Sequence, residues 1–204
     1  MSTYRTLARS ATAEIEVKRS RFLAVVARVD DEAAAREVVA SARRRHHDAR
    51  HHCSAFVIGA DASLRRSNDD GEPAGTAGAP MLEVLTRREV SDVVAVVTRW
   101  FGGTLLGAGG LVRAYGDAVG VALDAAGTQE RRLLHTMRVT APVVDAGALD
   151  HRLRTLGVVS DVEYGADVVF TVGVRDPDRF AAEVAAASTG RASVESSGTS
   201  WVDA

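Results

Sequence analysis

Hydrophobic and polar positions follow two different periods along the first half of the chain. In residues 14–29, EIEVKRSRFLAVVARV, apolar residues alternate with polar ones, which predicts two strands or one bent strand with residues 18–21 at the bend. The alanine-rich stretch after the pair Asp30-Asp31 predicts a helix that these acids cap and that runs to about Arg45. The uninterrupted apolar run over residues 92–98 predicts a central strand that is buried on both faces.

Two glycine-rich segments predict long loops. The first covers residues 61–79; a strand over residues 51–59 precedes it, and a helix that begins at Pro80 follows it. The second covers residues 100–110 and leads into a helix over residues 111–126. Loops of this length in a compact domain are commonly functional, so these segments are the first places to look for a site.

The pattern after residue 128 is that of a separate domain. Strands and helices are predicted in the order βαββαβ, which is typical of the ferredoxin-like fold. The predicted fold class is therefore α+β, with one domain over residues 1–128 and a second over residues 129–204. The elements predicted for the second domain are a strand over 131–144, a helix over 146–156, strands over 158–164 and 168–174, a helix over 177–187 and a strand over 191–202.

Composition narrows the class of protein. With 204 residues, 46% of them hydrophobic, and a net charge of −2, the chain has a globular composition rather than a fibrous or disordered one. Its longest aliphatic run, residues 93–97, is far too short to cross a bilayer, and the polar residues 1–14 do not resemble a secretory signal. The single cysteine, Cys53, forbids an internal disulfide and is typical of a reducing compartment. We expect a cytoplasmic protein that does not bind membranes.

The charge is unevenly distributed along the chain. Residues 1–60 carry 11 basic and 7 acidic residues, although the whole chain is slightly acidic. This balance excludes a highly basic nucleic-acid coat protein and leaves room for local basic patches. Arg19 and Arg21, at the bend between the first predicted strands, are candidates for such a patch. The alternative is that they form a solvated edge.

The first glycine-rich loop contains three carboxylates within four residues, Asp69, Asp70 and Glu72. Such a group can bind a hard cation through oxygen. An EF-hand is excluded because Arg66 and Ala77 would occupy the first and twelfth loop positions, where carboxylates are needed. The alternative is an Asp-Gly turn in which the acids accept hydrogen bonds from backbone N–H groups.

The second glycine-rich loop lies between a buried strand and a helix, a position where backbone N–H groups can bind a phosphate or carboxylate. It is neither a Walker A loop nor a full dinucleotide-binding fingerprint, because only G-x-G is present. The glycines are flanked by Arg99, Trp100, Phe101, Arg113 and Tyr115, and arginines with aromatic residues can bind phosphates and stack on bases. The alternative is that the aromatic residues belong to the core and the glycines permit close packing.

Four histidines near Cys53 suggest zinc, but the spacing argues against it. On a strand, His51 and Cys53 share one face and His52 points the other way, and the chain has no second cluster of cysteine and histidine. For the same reason His52 and Cys53 do not form a nucleophile pair. We therefore assign no metal site and no catalytic residue.

Taken together, these motifs resemble the YigZ/IMPACT family over nearly the whole chain. The segments that carry the resemblance are 18–22 (KRSRF), 51–53 (HHC), 69–78 (DDGEPAGTAG), 99–103 (RWFGG) and 107–115 (GAGGLVRAY). The chain departs from the family pattern at Asn68, where serine is usual, and at Trp100, where tyrosine is usual.

The resemblance implies an N-terminal α/β sandwich like ribosomal protein S5 domain 2 and domain IV of elongation factor G, followed by a ferredoxin-like domain. In eukaryotic relatives the family domain regulates translation by binding an activator of a stress-responsive kinase. For bacterial relatives the resemblance implies binding to nucleic acid or ribosomes, with no established reaction.

The resulting hypothesis is a non-enzymatic cytoplasmic factor, without a cofactor, that binds RNA or the ribosome and modulates translation. The alternatives are a protein-interaction module and a metal-assisted enzyme that uses the acidic and histidine-containing segments. The candidate binding residues are Arg19, Arg21, His51, His52, Asp69, Asp70, Glu72, Arg99, Phe101, Gly102, Gly103, Gly109, Gly110, Arg113 and Tyr115.

Overall fold

The computed structural model describes residues 2–204, which divide into two compact units. The first unit is Thr3–Arg131, and the second is Arg132–Ala204 together with Ser2. The predicted domain boundary after residue 128 falls at the start of a strand and stays a prediction. The two-domain α+β class is confirmed.

The first unit contains a five-stranded antiparallel sheet with the strand order β2-β3-β6-β4-β5. Helix α1 packs on one face of this sheet, and helices α2 and α3 pack on the other. The elements are β1 (Thr3–Leu7), β2 (Ala11–Val17), β3 (Ser20–Arg28), α1 (Glu32–Arg45), β4 (His51–Ile58), β5 (Leu64–Asn68), α2 (Gly78–Arg87), β6 (Val93–Trp100) and α3 (Ala108–Ala126).

Strand β6 is the central strand of the sheet, as predicted. Val93, Ala95 and Val97 belong to the core under α2 and α3, whereas Val94 and Val96 belong to the core under α1. All five are fully buried. A strand covered on both faces needs apolar residues at every position, which explains its uninterrupted apolar run.

Residues 14–29 form two strands rather than one bent strand. In the register of β2 and β3, Val17 lies opposite Ser20, so that the connecting loop has only two residues. Both of them, Lys18 and Arg19, have positive φ angles, of 47° and 66°. These are the angles of a type I′ turn, whose twist matches that of the two strands.

The sequence prediction missed strands β1 and β5. Strand β5 lies inside the segment predicted as a loop, at the edge of the sheet, and four of its five residues are exposed. An exposed edge strand carries little apolar alternation, so the pattern gave no signal.

Helices α2 and α3 also begin earlier than predicted, at Gly78 and Ala108, because glycine-containing turns form part of each helix. The cap of α1 is confirmed, since the Asp31 carboxylate accepts a hydrogen bond from the Ala34 N–H at 2.7 Å.

The second unit has the predicted βαββαβ order. Its strands lie in the order β10-β7-β9-β8, which is the ferredoxin-like arrangement. Buried residues of both helices, among them Leu153 and Val184, pack with Phe170 of the central strands. The elements are β7 (Thr128–Pro142), a short 3-10 turn (Val143–Asp145), α4 (Ala146–Leu156), β8 (Val158–Tyr164), β9 (Asp167–Val174), α5 (Pro177–Ala187) and β10 (Ser193–Asp203).

None of the helices within residues 2–204 is long and apolar enough to cross a membrane.

Candidate functional site

The sequence-predicted residues of the first unit meet at one end of its sheet, which we call the loop end. Strands β3 and β4 begin there and β6 ends there, so that Arg21 pairs with Trp100 and His51 pairs with Arg99. The segments 69–77 and 101–107 connect strands and helices at the same end. Antiparallel pairing thus brings together motifs that are far apart along the chain.

Asp69 organises the acidic loop through its side chain. Its carboxylate accepts hydrogen bonds from the backbone N–H groups of Gly75, Ala77 and Gly78 at 2.8, 3.0 and 2.8 Å. Burial on its own would raise the pKa of Asp69, but the three donors outweigh it and hold the pKa below the ordinary value. The interpretation of this acid as a backbone cap is confirmed.

Asp70 attaches the same loop to strand β4 and helix α1. One carboxylate oxygen accepts the His52 backbone N–H at 2.7 Å, and the other forms an ion pair with Arg43. The Asp70 carbonyl oxygen lies 2.9 Å from His51 Nδ1. Asp70 itself has a φ of 44°, so the loop turns sharply at this residue. Both carboxylate oxygens therefore have protein partners.

Glu72, Arg99 and Tyr115 form a buried polar cluster beneath the loops. Glu72 Oε1 accepts from Arg99 Nη1 at 2.6 Å and from the Tyr115 hydroxyl at 2.7 Å. The side chains of Glu72 and Arg99 are only 3% and 7% exposed. Burial raises the pKa of Tyr115, and so it stays a neutral donor. The cluster joins the acidic loop, β6 and α3.

Cys53 and His52 point to opposite faces of β4, as the alternation predicted. The Cys53 thiol lies 3.0 Å from the Asp69 carbonyl oxygen and 3.3 Å from the Tyr115 hydroxyl. Burial raises its pKa to about 12, so the thiol stays protonated at neutral pH. His52 Nε2 lies 3.1 Å from the His46 carbonyl oxygen, and burial lowers the His52 pKa.

Among residues 2–204, no group of three or more His, Cys, Asp or Glu residues is arranged to hold a metal ion.

On the α1 side of the loop end, an arginine and a tryptophan stack on the surface. The Arg21 guanidinium lies 4.0 Å from the centre of the Trp100 ring and 3.4 Å from Glu14. Trp100 Nε1 donates to Asp48 at 2.8 Å, and His46 contacts the ring edge-on. Trp100 flanks the second glycine-rich loop in the sequence but was not among the predicted binding residues. Its position opposite Arg21 in neighbouring strands was the missing signal.

The loop after β6 is fixed on the β2–β3 turn and displays apolar side chains. A Cβ atom at Gly102 would lie 2.0 Å from the Arg19 carbonyl carbon, so only glycine permits this approach. Arg19 Nη2 donates to Thr104 Oγ1 at 3.2 Å. Phe101 and Leu105 are 55% and 83% exposed. The loop is anchored at its glycine and open at its tip.

Helix α3 begins without a side-chain cap. Its N-cap is Gly107, with a φ of 73°, and Gly109 and Gly110 occupy the first turn. A Cβ atom at Gly109 would lie 3.9 Å from Arg113 Nη1, which places this guanidinium close to the first turn. Uncapped N–H groups at a helix start attract anions, and a nearby arginine adds to that attraction.

The predicted binding residues therefore differ in burial: His51, Asp69 and Asp70 are half-buried, and the other side chains separate into two sets. Glu72, Arg99 and Tyr115 are buried and bonded to one another, and His52 is buried beside them on the opposite face of β4. The predicted residues whose side chains remain exposed are Arg19, Arg21, Phe101 and Arg113. With Trp100, they form what we call the outer set. Gly102 and Gly103 shape the loop that carries Phe101.

Residues 18–123, just over half of the chain, match the family model of the Impact N-terminal domain. The chain belongs to the IMPACT family. All residues of the buried cluster and of the outer set lie within the matched segment. The loop end is therefore part of the domain that defines the family.

Two relatives agree with this assignment. The IMPACT family member YvyE of Bacillus subtilis (strain 168) is 38% identical over 179 residues, which cover 87% of this chain and 82% of the relative. The IMPACT family member YigZ of Escherichia coli (strain K12) is 47% identical over 118 residues, 57% of this chain and 58% of the relative.

A crystal structure of a hypothetical protein aligns with 95% of this chain and 97% of its own, at 38% identity and a TM-score of 0.70. The two-domain translational regulator Yih1 aligns over 58% of this chain and 46% of its own at 31% identity. Its TM-score of 0.36 is too low to carry its geometry over.

Proposed function

We propose that this IMPACT family protein is a non-enzymatic factor that modulates translation by binding structured RNA, on its own or in the ribosome, through the outer set. The observation that carries the proposal is the exposure at the loop end of Phe101, Arg19 and Arg113 together with the Arg21–Trp100 stack. The first half of the proposal, RNA binding, rests on this chemistry. The second half, translation, rests on the resemblance to eukaryotic family members that regulate it.

The outer set has the chemical groups that RNA recognition uses. Unstacked bases of RNA loops pack on aromatic rings and on guanidinium planes, whereas arginines bind the phosphates. Phe101 is 55% exposed, which is far more than a core phenylalanine. The start of α3 adds backbone N–H groups at the same end of the sheet.

The buried cluster supports this surface without touching a ligand. Glu72, Arg99 and Tyr115 connect the acidic loop, β6 and α3 by charge-assisted hydrogen bonds in a place that water hardly reaches. A rigid support reduces the loss of conformational entropy on binding. Arg99 therefore acts as a positioning residue, and Phe101 and Arg21 as contact residues.

A test is co-sedimentation of the full chain with purified ribosomes, and binding to a structured RNA, at physiological ionic strength. Phe101→Ala and the double variant Arg19→Gln/Arg21→Gln are each expected to weaken binding. The matched control is Arg87→Gln/Arg88→Gln, which removes two positive charges at the far end of α2. Equal loss in the control and the test variants would refute the site, because it would show only general charge attraction.

A protein partner is the second candidate function, and the exposed Leu105 favours it. This side chain is 83% exposed at the tip of the loop, and apolar tips are more typical of protein interfaces than of RNA contacts. Leu105→Ser is expected to leave RNA binding unchanged if RNA is the ligand.

The metal-assisted alternative has less support because the carboxylates of Asp69, Asp70 and Glu72 already have protein donors.

A further inference from the structure

A cavity of about 400 Å³ lies between α1 and the edge strand β5. It opens on the face of the sheet opposite the Glu72 cluster. This placement follows from the alternation of β4: Cys53 and Ala55 face the core under α2 and α3, whereas Phe56 faces α1. Ser54 therefore lies on the α1 side with Phe56.

Ser54 is a mostly buried residue whose hydroxyl is accessible from the cavity. It is 8% exposed and lines the cavity, and within the described chain its hydroxyl makes no hydrogen bond. A hydroxyl has one donor and two acceptor positions, and here all of them are accessible from the cavity. The Ser54 hydroxyl can therefore form a hydrogen bond with a molecule that enters the cavity.

Three arginines surround the same cavity. Arg36 and Arg43 project from α1, and Arg66 projects from β5. Arg36 pairs with Glu32, Arg43 pairs with Asp70, and Arg66 Nη1 donates to the Arg65 carbonyl oxygen. Each guanidinium has five N–H donors, so every one of them keeps donors for a further acceptor. None of the acidic residues in the described chain lines the cavity itself.

We propose that this cavity binds a phosphate monoester of a small organic molecule. The three guanidinium groups and the Ser54 hydroxyl hold the phosphoryl oxygens, as arginine forks and hydroxyls commonly do. Val39 and Phe56 form an apolar wall against which the organic part packs. The proposal does not rest on RNA binding by the outer set, because none of the outer-set residues lines the cavity.

The experiment is calorimetric titration of the full chain with adenosine monophosphate, glucose 6-phosphate, inorganic phosphate and adenosine at about 0.15 M ionic strength. At least one monoester is expected to bind more tightly than inorganic phosphate, and adenosine is expected not to bind. Arg66→Gln should weaken monoester binding about tenfold or more, as expected when one charge-assisted bond is removed. Absence of binding by both monoesters and by phosphate would overturn the proposal.

Arg65→Gln is the matched control, because it makes the same charge change one residue away on the other face of β5. Arg65 lies opposite Val57, whose side chain belongs to the core under α2 and α3. Monoester affinity should be unchanged in this variant. An equal loss for Arg65→Gln and Arg66→Gln would mean that the attraction is nonspecific, and the proposal would fail.

Ser54→Ala separates a direct role in ligand binding from a structural role. Since the hydroxyl has no protein partner, its removal should leave the melting temperature of the free protein equal or higher, and should weaken monoester binding several-fold. A lower melting temperature with unchanged binding would contradict the assignment. If Arg66→Gln abolishes RNA binding while no monoester binds, the cavity belongs to an RNA surface and the monoester is refuted.

Discussion

Arg99 and Glu72 form an ion pair with a nitrogen–oxygen distance of 2.6 Å, in which both side chains are more than nine-tenths buried. The pair joins the end of β6 to the acidic loop, and Tyr115 donates to the same glutamate oxygen. If one member of the pair is removed, the remaining charge stays buried and no water replaces the missing partner. The pair therefore holds the loop end together.

Removal of one partner of this pair should be costly. We expect Arg99→Met to lower the free energy of unfolding by about 3–5 kcal/mol, because it leaves the Glu72 carboxylate buried without its cation. Chemical denaturation measures this change. The double variant Glu72→Gln/Arg99→Met should recover part of the loss. Arg36→Met, which removes a mostly exposed partner of Glu32, is the control and should cost less than about 1 kcal/mol. Similar costs for Arg99→Met and the control would contradict the account.

Asp69 predicts a pH dependence of stability. Its folded pKa is lowered, so its contribution is fully present above the unfolded pKa, near 3.8, and is lost as the pH falls through the folded value. The difference in unfolding free energy between the protein and Asp69→Asn should therefore be largest above about pH 5 and shrink in more acidic solution. Denaturant titrations across this range measure it. If the difference in unfolding free energy grew as the pH fell, the stabilising role of the ionised Asp69 carboxylate would be contradicted.

Gly102→Ala tests the approach of the loop to the β2–β3 turn. The new methyl would meet the Arg19 backbone at 2.0 Å, which neither segment can absorb without moving. We expect a loss of about 1–3 kcal/mol in unfolding free energy, together with weaker RNA binding. Gly120→Ala is the matched control, since nothing lies within 4 Å of its Cβ position in α3. There alanine should stabilise the helix by up to about 1 kcal/mol.

Cys53 should be unreactive in the folded protein. The thiol is buried, and its pKa is raised to about 12, so very little thiolate exists at pH 8. Reaction with a coloured disulfide reagent should be slow in buffer and fast once urea unfolds the chain. Complete labelling of the folded protein at the rate of a free thiol would show that the pocket around Tyr115 opens readily.

Much of the fold could be predicted from the sequence, because the apolar residues of a buried face recur along the chain with the period of the helix or strand. The strand β6, the Asp31 cap of α1 and the βαββαβ order follow from apolar spacing, from the capping acid and from glycine positions. Strand β5 could not be found this way, since an exposed edge strand such as Leu64–Asn68 has no apolar face to display.

The site was predictable in its segments but not in its pairings. The motifs at both glycine-rich loops do meet, yet which side chains face inward depends on strand register and helix packing. One signal was available: Arg99 has the same parity along β6 as Ala95 and Val97, which face the core under α3. The pairing of Arg99 with Glu72 could not be predicted, because no local period relates a residue on a loop to a residue on a strand.

The salt dependence of RNA binding tests the central claim most directly. Binding to phosphates releases counterions, so the logarithm of the binding constant falls with the logarithm of salt concentration, by about 0.9 in slope for every phosphate that the protein neutralises on a duplex. If Arg19 and Arg21 bind phosphates, Arg19→Gln/Arg21→Gln should flatten this slope by up to about two, and Arg87→Gln/Arg88→Gln should leave it unchanged. Parallel salt titrations for the protein and both double variants would contradict RNA binding through the outer set.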